Sequence, residues 1–420
     1  MKSETQNSFL RLVPVFLAAG FFVLYLATCQ RGWCWQDGGL FQRRIFTCDL
    51  VGSFGIAASH PLFIALGIGV DFVCRILGGG MNARLFATNA SSAFWMALAV
   101  GFFAAAVRRY SGSGKAALLS GLMLGFAHMT WWMGTICEAH ALELLLFALE
   151  LFVFAGLAKG GESSVSGVGT GLMGLAFVCG LHFSVHNLAL LALPVYAFVA
   201  WRMVKGRNRV AKCACLACIW VLGASPVLCL AVREFAKSGF FATVRSVLVG
   251  DFGSQVLGVL PSSPKIFILN CVLAAMSFAM PTLCFVAGRK PRETQGAVLQ
   301  LRIPLLVVLS VHAIFLARYF VPDQAFFLLP TLTLAMLLVS PRLAEARRPV
   351  FLACATVILG VALPLVAASC APRGLDRGTH PGRDDARYFA LPWKFNDASC
   401  DRYVESHGLD DTWAGYPLAH

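Results

Sequence analysis

The 420-residue chain is 58% hydrophobic and only 13% charged, with a mean hydropathy of +0.73 and a formal net charge of +13. Soluble domains carry about 25% charged residues, so a soluble enzyme is excluded and an all-α polytopic membrane protein is expected. The surplus Lys and Arg fall in short loops between apolar segments, which fits cytoplasmic loops facing anionic lipid and argues against a nucleic-acid partner.

Lys2 and Arg11 precede an apolar run from Leu12 to Thr28, the make-up of a signal peptide or a first anchor. Thr28 before Cys29 is a poor lipoprotein cleavage box, and the following chain keeps returning to the bilayer. An uncleaved first helix over 9–28 is expected. Further spans are predicted at 85–107, 116–134, 136–158, 166–184, 187–204, 212–232, 265–288, 303–320, 323–341 and 349–369, about eleven in all.

Segment 60–77 is different. His60-Pro61 opens it as a helix start, but Asp71 and Arg75 interrupt its apolar run. Charge decides its placement. With a cytoplasmic N-terminus and 60–77 not crossing, every basic cluster falls inside: Arg108, Arg109 and Lys115; Arg202 to Lys212; Arg289 to Arg302; and Arg342, Arg347 and Arg348. If 60–77 crosses, all of them fall outside. An interfacial or re-entrant helix is therefore expected. Residues 1–369 then form the transmembrane domain. Loops 29–84 and 233–264 and the tail 370–420 lie outside. Phe235, Phe240, Phe241, Val244, Val247 and Leu248, with Lys237 and Arg245, predict an interfacial helix in the second loop.

The titratable residues of interest collect on that outer side. Trp33-Cys34-Trp35-Gln36-Asp37-Gly38-Gly39 places an acid between tryptophans and glycines just beyond a membrane helix, where a backbone can approach a ligand closely. As a plain loop it would be an aromatic belt beside a solvated Asp. Ser59 or His60 could simply cap a helix. Glu138 follows Trp131-Trp132 in an apolar hairpin, where an acid needs a partner or a task. Glu143 and Glu150 share one helix face, as do His182 and His186. The His pair has the spacing of metal ligands but no matching third ligand in sequence, so hydrogen bonding to a phosphate or sugar is the better reading. His128 reads as a buried, satisfied histidine. Arg318, at the outer surface away from the basic clusters, suits a lipid-linked phosphate, or else snorkels.

Fifteen cysteines lie mostly within apolar segments. Cys213, Cys215 and Cys218 lack a nearby His, which disfavours a metal cluster. Cys29, Cys34, Cys48, Cys370 and Cys400 fall outside, where a disulfide could form with no readable pairing.

Taken in order, Trp35-Gln36-Asp37-Gly38, Gly55-Ile56-Ala57-Ala58-Ser59-His60-Pro61, Glu138-Ala139-His140-Ala141-Leu142, Gly180-Leu181-His182-Phe183-Ser184-Val185-His186-Asn187 and Tyr319-Phe320-Val321-Pro322-Asp323-Gln324 resemble glycosyltransferase family 117. That family includes transmembrane protein O-mannosyltransferases of the GT-C superfamily. Arg383-Asp384-Asp385-Ala386-Arg387-Tyr388-Phe389 is similar to the segment after its last membrane helix.

The resemblance implies a GT-C bundle whose first outer loop carries interfacial helices. It implies an enzyme that moves a sugar, mannose in that family, from a polyprenyl-phosphate donor to an acceptor hydroxyl on protein or glycan at the outer membrane face. Asp37 would be the catalytic base. His60, Glu138, His182, His186, Arg318, Tyr319, Asp323 and Gln324 would bind donor or acceptor. No cofactor is expected, and a divalent metal stays open. A multi-pass protein of a bacterial inner membrane with a periplasmic site is the expected setting. Two departures stand out: Leu40 where the family commonly has Glu, and Leu62 where it has a second Pro. They keep a non-catalytic scaffold in view. A lipid-linked sugar transporter or flippase is the other rival, and it would draw on Glu143 and Glu150.

Overall fold

The computed structural model describes residues 2–35, 37–157, 164–165, 168–206, 208–253, 264–289, 296–321, 324–370, 390–393 and 401. Asp323, Cys400 and the 383–389 segment lie outside the described residues.

Apolar sequence becomes helix almost throughout. In chain order the helices are α1 Lys2–Ala27, α2 Asp37–Phe46, α3 Pro61–Ile76, α4 Met81–Ser111, α5 Gly114–Phe126, α6 His128–Met133, α7 Ala139–Leu157, α8 Thr170–Phe183 and α9 Ala189–Met203. They continue as α10 Arg209–Gly223, α11 Ser225–Leu248, α12 Pro264–Ala287, α13 Gly296–Leu316, α14 Gln324–Phe327, α15 Leu329–Val339, α16 Pro341–Ala344 and α17 Pro349–Cys370. A two-residue antiparallel ladder, Ser164–Val165 against Val168–Gly169, precedes α8.

The segments Met81–Ser111, Ala139–Leu157, Phe267–Ala287 and Pro349–Cys370 are each long and apolar enough to cross a bilayer. The α10–α11 pair is long and apolar enough only when taken together, and it is bent by 80°. This corrects the expected continuous span over 212–232: the helix breaks at Ala224, ahead of Pro226 in the first turn of α11. The span expected at 116–134 is likewise interrupted, with Ala127 in extended conformation between α5 and α6. Helix α11 runs through the stretch expected to be interfacial but is broken by a kink at Gly239 (φ 78°, ψ 178°), with exposed Phe235 before the kink and Phe240 and Phe241 after it.

Helix α4 is the central post and packs along α1, α5 and α7. Helix α7 passes to α8, which packs on α10, and α15 contacts α12 and α13. Three of the basic clusters, those around Arg108, Arg289 and Arg342, meet at one end of this bundle. Arg108 Nη1 donates to Arg11 O at 3.2 Å, Lys115 Nζ to Ala346 O at 3.1 Å, and Arg289 N to Arg342 O at 3.1 Å. The opposite ends of α4 and α7 carry Asn89 and His140.

Helix α3 explains its own charges. Arg84 of α4 grips Asp71 bidentately, with Nε to Oδ1 at 2.6 Å and Nη2 to Oδ2 at 3.0 Å. Its guanidinium also lies 4.6 Å from the Phe46 ring centre. Phe72, Val73, Ile76 and Leu77 remain exposed beside this pair.

Candidate active site

The loop expected over 29–84 is fastened in three places. Asn89 is the first fastening. Its Nδ2 donates to Gln30 O at 2.9 Å and Gly32 O at 3.0 Å, and its Oδ1 accepts from Cys137 N at 2.9 Å and Gln42 Nε2 at 3.1 Å. Gln42 Oε1 in turn accepts from Cys34 N at 2.9 Å. The second fastening is to the end of α8, where Leu62 N donates to Ser184 O at 3.0 Å and His60 Nδ1 to Val185 O at 2.6 Å. The third is to the end of α11: Ile56 N donates to Ser246 Oγ at 3.0 Å and Asp251 N to Phe54 O at 3.2 Å.

Asp37 begins α2, where a carboxylate suits the positive end of the helix. It is half-buried and lines a cavity of about 250 Å³ with His60, His186, Asn187, Tyr319 and Phe327. Phe41 closes the wall beside His60, with ring centres 5.2 Å apart. His60 holds a left-handed backbone conformation (φ 45°, ψ 50°), uncommon for a residue with a side chain and costly unless its surroundings fix it. Burial and the neighbouring His186 push the His60 imidazole well below its ordinary value, against the pull of Val185 O. The ring is therefore neutral. Because Nδ1–H is donated to a carbonyl, Nε2 is left as an acceptor.

His186 stacks on His60 at 5.3 Å and packs against His140 at 5.3 Å and Phe327 at 5.3 Å. Burial lowers its pKa to about 4, although Glu143 draws it upward. Its Nδ1 accepts from Leu188 N at 3.1 Å, so the neutral ring carries its proton on Nε2.

Arg44 is the buried guanidinium of the site. It donates to Asp49 O at 3.2 Å, Ala58 O at 3.2 Å and Ser59 O at 2.7 Å. Burial lowers its pKa to about 10, with the charges of Asp49 and Asp37 opposing. Arg44 was legible by the argument applied to Arg318, a cation away from the basic clusters in a loop expected to lie outside. Asn89 too had a signal, an amide within a predicted membrane helix.

The other expected site residues take varied places. Tyr319 lines the cavity 4.9 Å from the Phe327 ring. Arg318 is exposed at the end of α13, away from the cavity lining. Gln324 is buried and donates from Nε2 to Leu316 O at 2.7 Å, tying α14 to α13. Glu138 caps α7: its Oε1 accepts from Ala139 N at 2.9 Å, while its own N–H donates to Ser92 Oγ at 3.1 Å. His182 is turned away from the cavity, with Nδ1 2.8 Å from Glu150 Oε1 and Nε2 3.9 Å from Glu143 Oε1. Glu143 Oε2 receives His140 Nδ1 at 2.5 Å. Both acids that a transporter would use are thus engaged by histidines.

Trp131 packs on Trp393 of the tail at 5.2 Å, and Trp33 N donates to Asp401 Oδ1 at 2.9 Å. Cys29, Cys48 and Cys370 are free thiols, and Cys34 Sγ donates to Asn89 Oδ1 at 3.1 Å.

No protein-family profile and no curated protein matches the chain. Two solved structures of ArnT from Cupriavidus metallidurans resemble it. The form bound to undecaprenyl phosphate aligns with a TM-score of 0.56 at 16% identity, covering 85% of this chain and 64% of that one. The apo form aligns with a TM-score of 0.50 at 16% identity, covering 89% and 66%. The chain thus spans less than two thirds of ArnT's length. At this identity the likeness establishes architecture: the chain is an all-α, multi-pass membrane protein with a GT-C-like fold.

Proposed function

We propose that this protein is a GT-C-type glycosyltransferase that moves a sugar from a polyprenyl-phosphate donor to an acceptor hydroxyl. The observation that carries the reading is the convergence of Asp37, His60, His186 and Tyr319 on one cavity, in a chain whose fold resembles ArnT. The ArnT structure holding undecaprenyl phosphate supports a lipid-linked donor.

In this scheme Asp37 takes the proton of the acceptor hydroxyl as its oxygen attacks the anomeric carbon. The bond from that carbon to the carrier phosphate breaks, and the phosphate leaves with the electron pair. Charge then develops on the leaving oxygen. The His186 Nε2–H and the Tyr319 hydroxyl, both on cavity-lining residues, are the candidates to meet it. Arg44 acts at one remove, because its donors hold the carbonyls of Ala58 and Ser59 that lead into His60. His60 offers its Nε2 lone pair to a sugar or acceptor hydroxyl.

The family 117 resemblance of the motifs makes mannose the first donor sugar to try and a Ser or Thr hydroxyl the first acceptor. It also favours a bacterial inner membrane with the cavity on the periplasmic side. The test is transfer of radiolabelled sugar from polyprenyl-phosphate mannose, then from a panel of other polyprenyl-phosphate sugars, into membrane protein and glycan. Asp37→Asn should lower transfer by about 10²–10⁴-fold in a folded protein. Full transfer by Asp37→Asn would remove the base, and no transfer from any donor would reject the enzyme.

A further inference from the structure

Behind the cavity, α7 and the end of α8 bring five titratable side chains together inside the bundle: His140, Glu143, Glu150, His182 and His186. All five are buried or nearly so. Sequence spacing offered His182 and His186 as a pair with no third ligand, whereas folding groups His186 with His140 and Glu143 instead. One ligand atom each from His140, Glu143 and His186 lies within 4.8 Å of the others.

The hydrogen bonds show what the cluster lacks. Glu143 Oε2 is engaged by His140 Nδ1, but Oε1 is buried with no hydrogen-bond partner among the described residues. Two imidazole nitrogens approach that oxygen without bonding it, His182 Nε2 at 3.9 Å and His186 Nδ1 at 4.0 Å. His182 Nε2 also has no hydrogen-bond partner among the described residues. His182 donates its other nitrogen to Glu150 Oε1. Glu143 Oε1 is therefore a buried carboxylate oxygen with an open ligand position, beside two imidazoles.

We propose that His140, Glu143 and His186 bind one divalent transition-metal ion of the zinc class. Imidazole and carboxylate are the donors such ions take. Bonds of about 2.1 Å place two ligands of a tetrahedral ion roughly 3.4 Å apart, so Glu143 Oε1 and His186 Nδ1, now 4.0 Å apart, close by about 0.6 Å, and no pair among the three ligand atoms, which lie within 4.8 Å of one another, closes by more than about 1.4 Å. His186 exchanges its Leu188 N–H for the ion. The His182–Glu150 pair, in which a carboxylate fixes an imidazole, stands behind Glu143 as an outer support. Because His186 lines the cavity and stacks on His60, the ion would fix the orientation of the cavity's inner wall.

The test uses the full-length protein in detergent, purified without a polyhistidine tag and loaded with Zn²⁺ or Co²⁺. About one equivalent should survive desalting over a weak chelator, and Co²⁺ should give visible d–d absorption bands. Glu143→Gln and His186→Asn should each bring retained metal below roughly one tenth of an equivalent, while His128→Asn keeps it. X-ray absorption on zinc-loaded wild type should show imidazole scattering at about 2.0–2.1 Å, a readout independent of whether the variants fold. Failure of wild type to retain metal would overturn the site. So would undiminished retention by both variants, or a coordination shell without imidazole. None of these measurements depends on sugar transfer, so the metal site and the proposed activity stand or fall separately.

Discussion

The side-chain oxygen of Asn89 on α4 accepts the backbone N–H of Cys137 at 2.9 Å, which ties the loop before α7 to α4. The same side chain holds the carbonyls of Gln30 and Gly32, so one amide sets the distance between Glu138 and the turn that leads into Asp37. Gly38 completes the contact: a Cβ there would lie 2.8 Å from Cys34 Cβ and 3.0 Å from Cys137 O. Asn89→Ala leaves several buried backbone groups without partners. It should cost about 2–4 kcal/mol, read as a drop in the unfolding midpoint, and should lower transfer more than binding of the donor.

Helices α8 and α10 touch through two glycines. A Cβ on Gly180 would sit against Trp220 O, and one on Gly223 against Phe177 O, both on rigid helical backbone. Small residues let membrane helices approach this closely, and no side-chain rotation relieves the clash. Gly180→Ala should therefore destabilise by roughly 1–3 kcal/mol, although alanine is the better helix former. The Phe183–Trp220 ring pair packs at 5.6 Å beside this contact, so the variant should also change Trp220 fluorescence.

Much of this fold was legible in the sequence because bilayer length and loop charge are strong signals. The Arg108, Lys115, Arg289 and Arg342 clusters do meet at one end of the bundle. Breaks inside apolar runs leave no trace in hydropathy: nothing marks Ala127, and only Pro226 signals the break at Ala224. The site was half legible. Asp37, His60, His186 and Tyr319 meet at the cavity, whereas Arg318 points elsewhere and His182 turns to Glu150. That partnership joins positions on different helices, and periodicity along one helix carries no information about it.

The first loop should also respond to acid. Burial pushes the Asp49 carboxyl upward, but the N–H groups of Gly52 and Val51 and the charges of Arg44 and Arg43 outweigh it, and its pKa falls below the ordinary carboxylate value. A depressed acid is protonated in the unfolded chain before the folded one. Its contribution is complete above the unfolded value near 4 and is lost as pH falls through the folded value. Melting the protein from pH 7 down to 3 should show a decline below about pH 4 that is shallower in Asp49→Asn. An identical decline in that variant would assign the acid response to other carboxyls. Arg44→Met, which strands the Ala58 and Ser59 carbonyls, should cost roughly 3 kcal/mol at every pH in the same series.

Thiol chemistry can report which side of the membrane Asp37 faces. Cys48 is solvent-exposed a short way along the first loop from Asp37. Burial raises Cys29 to about 12, only partly offset by Arg31, and also pushes the Cys34 and Cys137 thiols up. Thiolate is the reactive form, so those three should resist maleimide near neutral pH while Cys48 reacts. A membrane-impermeant maleimide applied to intact cells should therefore label a variant keeping only Cys48. A variant keeping only Cys215, which follows the basic run from Arg202 to Lys212, should be labelled after permeabilisation alone. The reverse pattern would place the cavity on the cytoplasmic face. A reaction there would have to draw on a donor presented from the inner leaflet.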